Sequence, residues 1–221
     1  MLLHPFPPST IDKNSKILIL GSFPSIASRE RGFYYAHPQN RFWKVLGTLF
    51  NDTSIFSNTS ISPKSTKLST KQYHQHIKIQ KAFLQSHFIV LWDMVRCCEI
   101  TGSSDASLKN VVFNDIFSLL QASPIRAIFL NGTKATTLFQ RYCKNLGLLL
   151  KLKPHSHYKA LISTPSLPSA ESAESLQTFL PQCATAIRIF SLPSTSPANA
   201  RYSLKSLCDS WHIIRASLEI Q

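Results

Sequence analysis

The sequence predicts an α/β fold: a three-layer α/β/α sandwich around a central, mainly parallel four-stranded sheet. Three observations carry this expectation. Short, wholly apolar runs recur along the chain, and they alternate with segments of helical periodicity. The 221 residues are 43% apolar, enough to cover both faces of such a sheet.

KILILG (16–21) is an unbroken apolar run closed by a glycine, the pattern of a strand buried on both faces. In NRFWKVLGTLF (40–50), Phe42, Val45, Leu46, Leu49 and Phe50 recur at helical spacing, and Asn40 stands where an N-cap belongs. Residues 51–72 are rich in Ser and Thr and read as a surface loop. YHQHIKIQKAFLQSH (73–87) reads as a helix and FIVLWD (88–93) as the second strand. SLKNVVFNDIFSLLQAS (107–123) reads as a helix stopped before Pro124, RAIFLNG (126–132) as the third strand, and TKATTLFQRYCKNL (133–146) as a helix. Residues 150–185 mix Pro with Ser and read as an insertion or mobile segment. AIRIFSLPS (186–194) is the fourth strand, and RYSLKSLCDSWHII (201–214) closes the chain as an amphipathic helix. Residues 1–221 are expected to form a single domain.

Charge narrows the partners. There are 24 Lys and Arg against 11 Asp and Glu, a net +13, which favours a polyanion, although a solvated cationic surface has the same composition. The start, MLLHPFPPSTIDKNSK, lacks a cationic region followed by an apolar core, and no apolar run reaches membrane-spanning length. Five cysteines occur without a CxxC pair, so reduced thiols in a cytoplasmic chain are expected, with no metal and no cofactor.

The sequence lacks GxGxxG, a Walker loop, HExxH and a nucleophile elbow. Ligands of open parallel sheets bind beyond the carboxyl ends of the strands, and GSFPS, WD, NGTK and LPSTSPANA all stand at such ends. GSFPS (21–25) could aim backbone N–H groups into that rim, or be an ordinary turn. Tyr34 and Tyr35 offer ring faces for a planar base, or are core aromatics. In NGTKA (131–135) the turn at Asn131 and Gly132, with Lys134, could hold a phosphate at a helix start. In LPSTSPANA, Ser194, Thr195 and Ser196 could donate to phosphate oxygens, or cap the helix that follows. Phe42 and Trp43 are expected in the core, and His37-Pro38 to shape a turn.

Together these stretches resemble the uracil-DNA glycosylase superfamily. YYAHPQNRFWKVL is similar to the aromatic-Ala-His-Pro-x-Asn-Arg-Phe-Trp stretch of mismatch-specific uracil and thymine glycosylases, and LPSTSPANAR to their final Pro/Ser-rich loop. The DNA-deoxyinosine (hypoxanthine-DNA) glycosylase branch is closer still. Its pattern is met in order by HPFPP (4–8), LILGSFPS, YYAHPQNRFW, LWD with GSSDAS (102–107), ND (114–115), NGTKA and LPSTSPANA.

The resemblance implies a monofunctional DNA glycosylase of base excision repair. Such an enzyme flips a deaminated base out of double-stranded DNA and hydrolyses its N-glycosidic bond, and it works as a cytoplasmic, nucleoid-associated monomer. Phe23 occupies the place where mismatch-specific enzymes keep their catalytic Asn, and the branch replaces that amide by the Asn of the HPxN stretch, which is Asn40 here. Tyr35 falls where the stacking aromatic lies. Ser22, Phe23 and Asp93 are expected to meet the base. Ser25, Asn131, Gly132, Lys134, Ser194, Thr195, Ser196 and Asn199 are expected to meet DNA. Thr101 departs from the branch, which tends to carry Arg there. Alternatives are a uracil- or xanthine-excising glycosylase, and a non-catalytic lesion-binding protein on the same fold.

Overall fold

The computed structural model describes residues 1–56, 70–148, 160–161 and 187–219. The four expected strands are present as β2 (Ile17–Gly21), β3 (Ile89–Asp93), β6 (Ala127–Asn131) and β8 (Arg188–Leu192). They pair in parallel in the order β3-β2-β6-β8, and a two-residue antiparallel strand, β7 (Ala160–Leu161), extends the β8 edge. Apart from β7, the 150–185 stretch lies outside the described residues.

Because successive side chains of a strand point to opposite faces, each apolar run feeds two cores. Leu18, Leu20, Val90, Ile128 and Ile189 face one side, where Ile116, Leu138 and Phe139 pack on them from α4 (Ile116–Gln121) and α5 (Thr133–Asn145). Ile17, Ile19, Leu91, Phe129 and Phe190 face the other. They are covered by α2 (Phe42–Phe50), α3 (Thr70–Ser86), α6 (Leu204–Trp211) and α7 (Ile213–Glu219) through Phe42, Leu46, Leu84, Trp211 and Ile214. All five are fully buried, and burying such a side chain contributes about 1.5–3 kcal/mol. The result is the expected three-layer arrangement. A short helix, α1 (Ile26–Arg31), follows the β2 loop and ends on Gly32, whose φ of 76° suits a left-handed cap.

Four expectations need correction. The segment 107–123 is not one helix: Lys109–Phe113 is a strand, β5, and only α4 is helical. β5 pairs antiparallel with β4 (Val95–Glu99), which pairs with β1 (Leu2–Leu3), making a second, three-stranded sheet. Val111 and Val112 suit a strand, and the chain turns at Asn114, whose Nδ2 donates to the Asp93 carbonyl (2.8 Å). Asp115 then caps α4 by accepting from the Ser118 N–H (3.2 Å). The pattern was ambiguous because β5 runs within two residues into the apolar α4, so the two stretches read as one.

The closing helix is likewise two, α6 and α7, meeting at His212. Residues 70–72 of the expected 51–72 loop already belong to α3, and 57–69 lie outside the described residues. Finally, α2 begins at Phe42, so Asn40 is not its formal cap residue, although it still accepts a helix N–H. Among the described residues no helix is long and apolar enough to cross a membrane.

Candidate active site

The sheet order places a topological switch between β2 and β6, from which the chain leads to β3 on one side and β8 on the other. Beyond the strand ends there lies an open cleft. It is lined from β2 and its loop by Gly21, Ser22, Phe23 and Ser25, from β3 by Asp93, and from β6 by Asn131. The loop after β8 adds Ser194, Thr195 and Ser196, and the segment before α2 adds Tyr35 and Asn40. Three expected residues, Gly132, Lys134 and Asn199, do not line it.

Asn40 is fixed by its own backbone environment. Its Oδ1 accepts the Phe42 N–H (3.0 Å), and its N–H donates to the His37 carbonyl (2.9 Å). The first turn of α2 therefore orients the amide, leaving Nδ2 and a second Oδ1 lone pair for the cleft. Arg41 ties the same segment to the final loop. Its guanidinium donates to the carbonyls of Ser196 (2.8 Å), Asn199 (2.9 Å) and Tyr202, and its N–H to the Thr195 carbonyl (3.1 Å).

The final loop is pinned from β6 as well. Asn131 Nδ2 donates to Thr195 Oγ1 (3.1 Å), and Asn131 Oδ1 accepts the Thr195 N–H (3.0 Å). Thr195 is fully buried. Asn199 braces the loop by donating to the Ser194 carbonyl (2.8 Å). Ser194 Oγ and Ser196 Oγ accept the N–H groups of Ser196 and Ala198, which leaves their hydroxyl protons available to an acceptor in the cleft. At Gly132 a Cβ would sit 2.7 Å from Ser194 Cβ, so glycine admits this loop against the start of α5. The Gly132 N–H is spent on the Leu130 and Leu192 carbonyls. Lys134 is half-buried, and its charge draws the Asp105 pKa down.

At the deep end, Gly21 and Asp93 are register partners of β2 and β3. A Cβ at Gly21 would lie 2.2 Å from Asp93 Oδ1 and 2.9 Å from Tyr35 Oη, so only glycine lets both oxygens approach the strand. Tyr35 stacks on Phe42, with ring centroids 3.8 Å apart, and takes a left-handed φ of 54°. One ring face is thus committed to the core. Its hydroxyl is buried and lacks a hydrogen-bond partner among the described residues, lying near Asn131 without bonding geometry. Burial, then the Asp93 charge, pushes its pKa upward, so it stays a donor. Tyr34 also lines the cleft, but its hydroxyl donates to the Pro7 carbonyl (3.0 Å). Phe23 is nearly buried and places an apolar wall in the cleft, with Arg29 over its ring at 5.7 Å.

Two contributors escaped sequence reasoning. Asp105, on a short 3₁₀ turn (Asp105–Ser107), reaches the cleft and accepts from Ser22 Oγ at 2.5 Å. Although Asp105 is exposed at the cleft rim, the protein crowded around its carboxyl displaces water and raises its pKa, while the Ser22 bond and the Lys134 charge pull it back. His4, before the cleft in sequence, donates through Nε2–H to Asp93 Oδ2 (2.8 Å), the tautomer an ionised carboxylate requires. Their motifs, GSSDAS and HPFPP, were visible as patterns, but nothing local says what they touch. Ser25 caps α1 by accepting the Ser28 N–H (3.2 Å), and Ser103 and Ser28 complete the near rim.

The profile of the uracil DNA glycosylase superfamily matches residues 8–216. A protein of Methanosarcina acetivorans named hypoxanthine DNA glycosylase is 30% identical over 150 residues, covering 67% of this chain and 83% of its own length. One of the same name from Methanosarcina barkeri is 30% identical over 131 residues, covering 59% of this chain and 71% of its own. A solution NMR structure of a candidate uracil DNA glycosylase from Methanosarcina acetivorans superposes with a TM-score of 0.58 at 23% identity, covering 96% of each chain, and so shares the fold. The cleft at the strand ends and a sequence match running almost from end to end agree: the chain belongs to the uracil DNA glycosylase superfamily.

Proposed function

We propose that this chain is a monofunctional DNA glycosylase that removes a deaminated base, hypoxanthine above all, from double-stranded DNA. The observation that carries the reading is the convergence in one cleft of the Asn40 amide, the Asp93 carboxylate and the hydroxyl loop 194–196. Hypoxanthine as the preferred base is taken from the names of the two Methanosarcina relatives.

The reaction needs a flipped nucleotide, and extrusion costs a few kcal/mol, least for a mispaired base. Ser194 and Ser196 grip the flanking phosphates, aided by the chain's net +13. The C1′–N bond breaks through a sugar with oxocarbenium character, water adds its oxygen to C1′, and the base leaves with its electron pair and takes up a proton. The Asn40 oxygen orients that water and faces the positive sugar, a preorganised dipole of the kind worth about 3–4 kcal/mol. Asp93 and Tyr35, at the deep end, meet the edge of the base, and Phe23 packs on its face. No lysine lines the cleft among the described residues, which favours direct hydrolysis over a Schiff base.

The test is incubation with duplexes carrying deoxyinosine, uracil or xanthine, followed by alkali. Strand breaks at deoxyinosine, with uracil and xanthine slower, are expected. Tight binding to lesion duplexes without any abasic site would overturn the reading in favour of a lesion binder.

A further inference from the structure

We propose that His4 is a positioning residue of this site: the N-terminal strand delivers an imidazole that locks Asp93 so that one carboxylate oxygen faces the cleft. The superfamily match begins at residue 8, so His4 precedes it. β1 pairs Leu2 with Cys98 and Leu3 with Cys97, and the His4 N–H donates to the Arg96 carbonyl (2.7 Å). That pairing carries the imidazole under the cleft floor. His4 and Asp93 side chains are 2% and 4% exposed, and Nε2 lies 2.8 Å from Oδ2.

Three features argue for a role beyond packing. A buried polar pair is weak support for stability, since apolar residues of like size would fill the space as well. The bond engages Oδ2 alone, leaving Oδ1 beside Gly21 on the cleft side. The His4 ring is itself held, by Nδ1 accepting the Phe6 N–H (3.2 Å) and by edge contacts to Phe6 (5.7 Å) and Phe23 (5.8 Å). Since Phe23 lines the cleft, one imidazole sets both the polar and the apolar wall. A carboxylate at a strand end is otherwise free to rotate about its last torsion, and a partner that removes this freedom preorganises it.

The kinetic arm of the test rests on the glycosylase reading. Single-turnover base release is measured on whichever deaminated-base duplex the wild-type chain cleaves, together with lesion-duplex affinity. His4→Phe should slow release about 10–100-fold, the usual range for an outer-shell partner, while duplex affinity stays near the wild-type value. His4→Gln, which retains an N–H donor, should restore most of the rate. In an Asp93→Ala background, His4→Phe should add no further loss. A wild-type rate in His4→Phe, equal losses in both variants, or losses that multiply in the double variant would overturn the proposal.

A second measurement needs no catalysis. In the ¹⁵N-histidine-labelled wild-type chain, the imidazole signals assigned by their absence from His4→Gln should move when free hypoxanthine is added. An unmoved signal overturns the proposal. A moved signal in a chain that releases no base from any duplex overturns the glycosylase reading alone.

Discussion

Replacing Asn40 separates chemistry from folding. Its Oδ1 accepts one helix N–H, from Phe42 at 3.0 Å, so Asn40→Ala leaves that donor without its partner. The loss should cost about 1 kcal/mol, as for other N-terminal helix caps. In a chain of this length that lowers the melting temperature by about 2–4 °C. Asn40→Ser keeps a short side-chain acceptor and should melt within a few tenths of a kcal/mol of wild type. Both variants lose the amide that faces the cleft, and release of hypoxanthine should fall about 10²–10³-fold, as when one preorganised dipole is removed. The assay is single-turnover excision at saturating protein, with duplex binding by fluorescence anisotropy and melting by circular dichroism as controls. If Asn40→Ser is folded, binds the lesion duplex and excises within about threefold of wild type, Asn40 is a cap and the chemical assignment is refuted.

Three further outcomes follow from the geometry. Arg41→Lys keeps the charge but not the planar fork that reaches the Ser196, Asn199 and Tyr202 carbonyls, so it should weaken lesion-duplex binding about tenfold or more; unchanged anisotropy titrations would contradict this. Tyr35→Phe removes a buried hydroxyl without a partner among the described residues, so melting should hold or rise while excision falls; a clear drop in stability would show that the hydroxyl is bonded. His76 is buried, and its Nε2 lies 3.1 Å from Gln80 Nε2, which donates to it and so requires the neutral imidazole. Burial lowers its pKa from 6.5, so this stability is present above that value and is lost as pH falls through the depressed one. Denaturant midpoints measured from neutral pH to about pH 5 should fall less in His76→Leu than in wild type.

The parallel core was legible because a strand buried on both faces must be apolar throughout, as in ILIL, IVLW and AIFL. The loops at the strand ends were legible for a related reason. Chain leaving such a sheet must carry whatever polar chemistry the protein has, and ten of the thirteen expected site residues line one cleft. Asn40 could be marked from its stretch and its resemblance, since the same short range that caps α2 also aims the amide.

What the chain could not disclose by itself rests on distant pairings. KNVVF looked helical because it runs within two residues into IFSLL, and nothing in it states that its partner VRCCE pairs in turn with the remote Leu2 and Leu3. The same second sheet brings His4 to Asp93, 89 positions away, and a separate turn brings Asp105 to Ser22, 83 positions away. Local patterning records which face of an element is buried. It does not record which remote side chain completes a carboxylate's hydrogen bonds, because that is decided only when two sheets share one edge of the cleft.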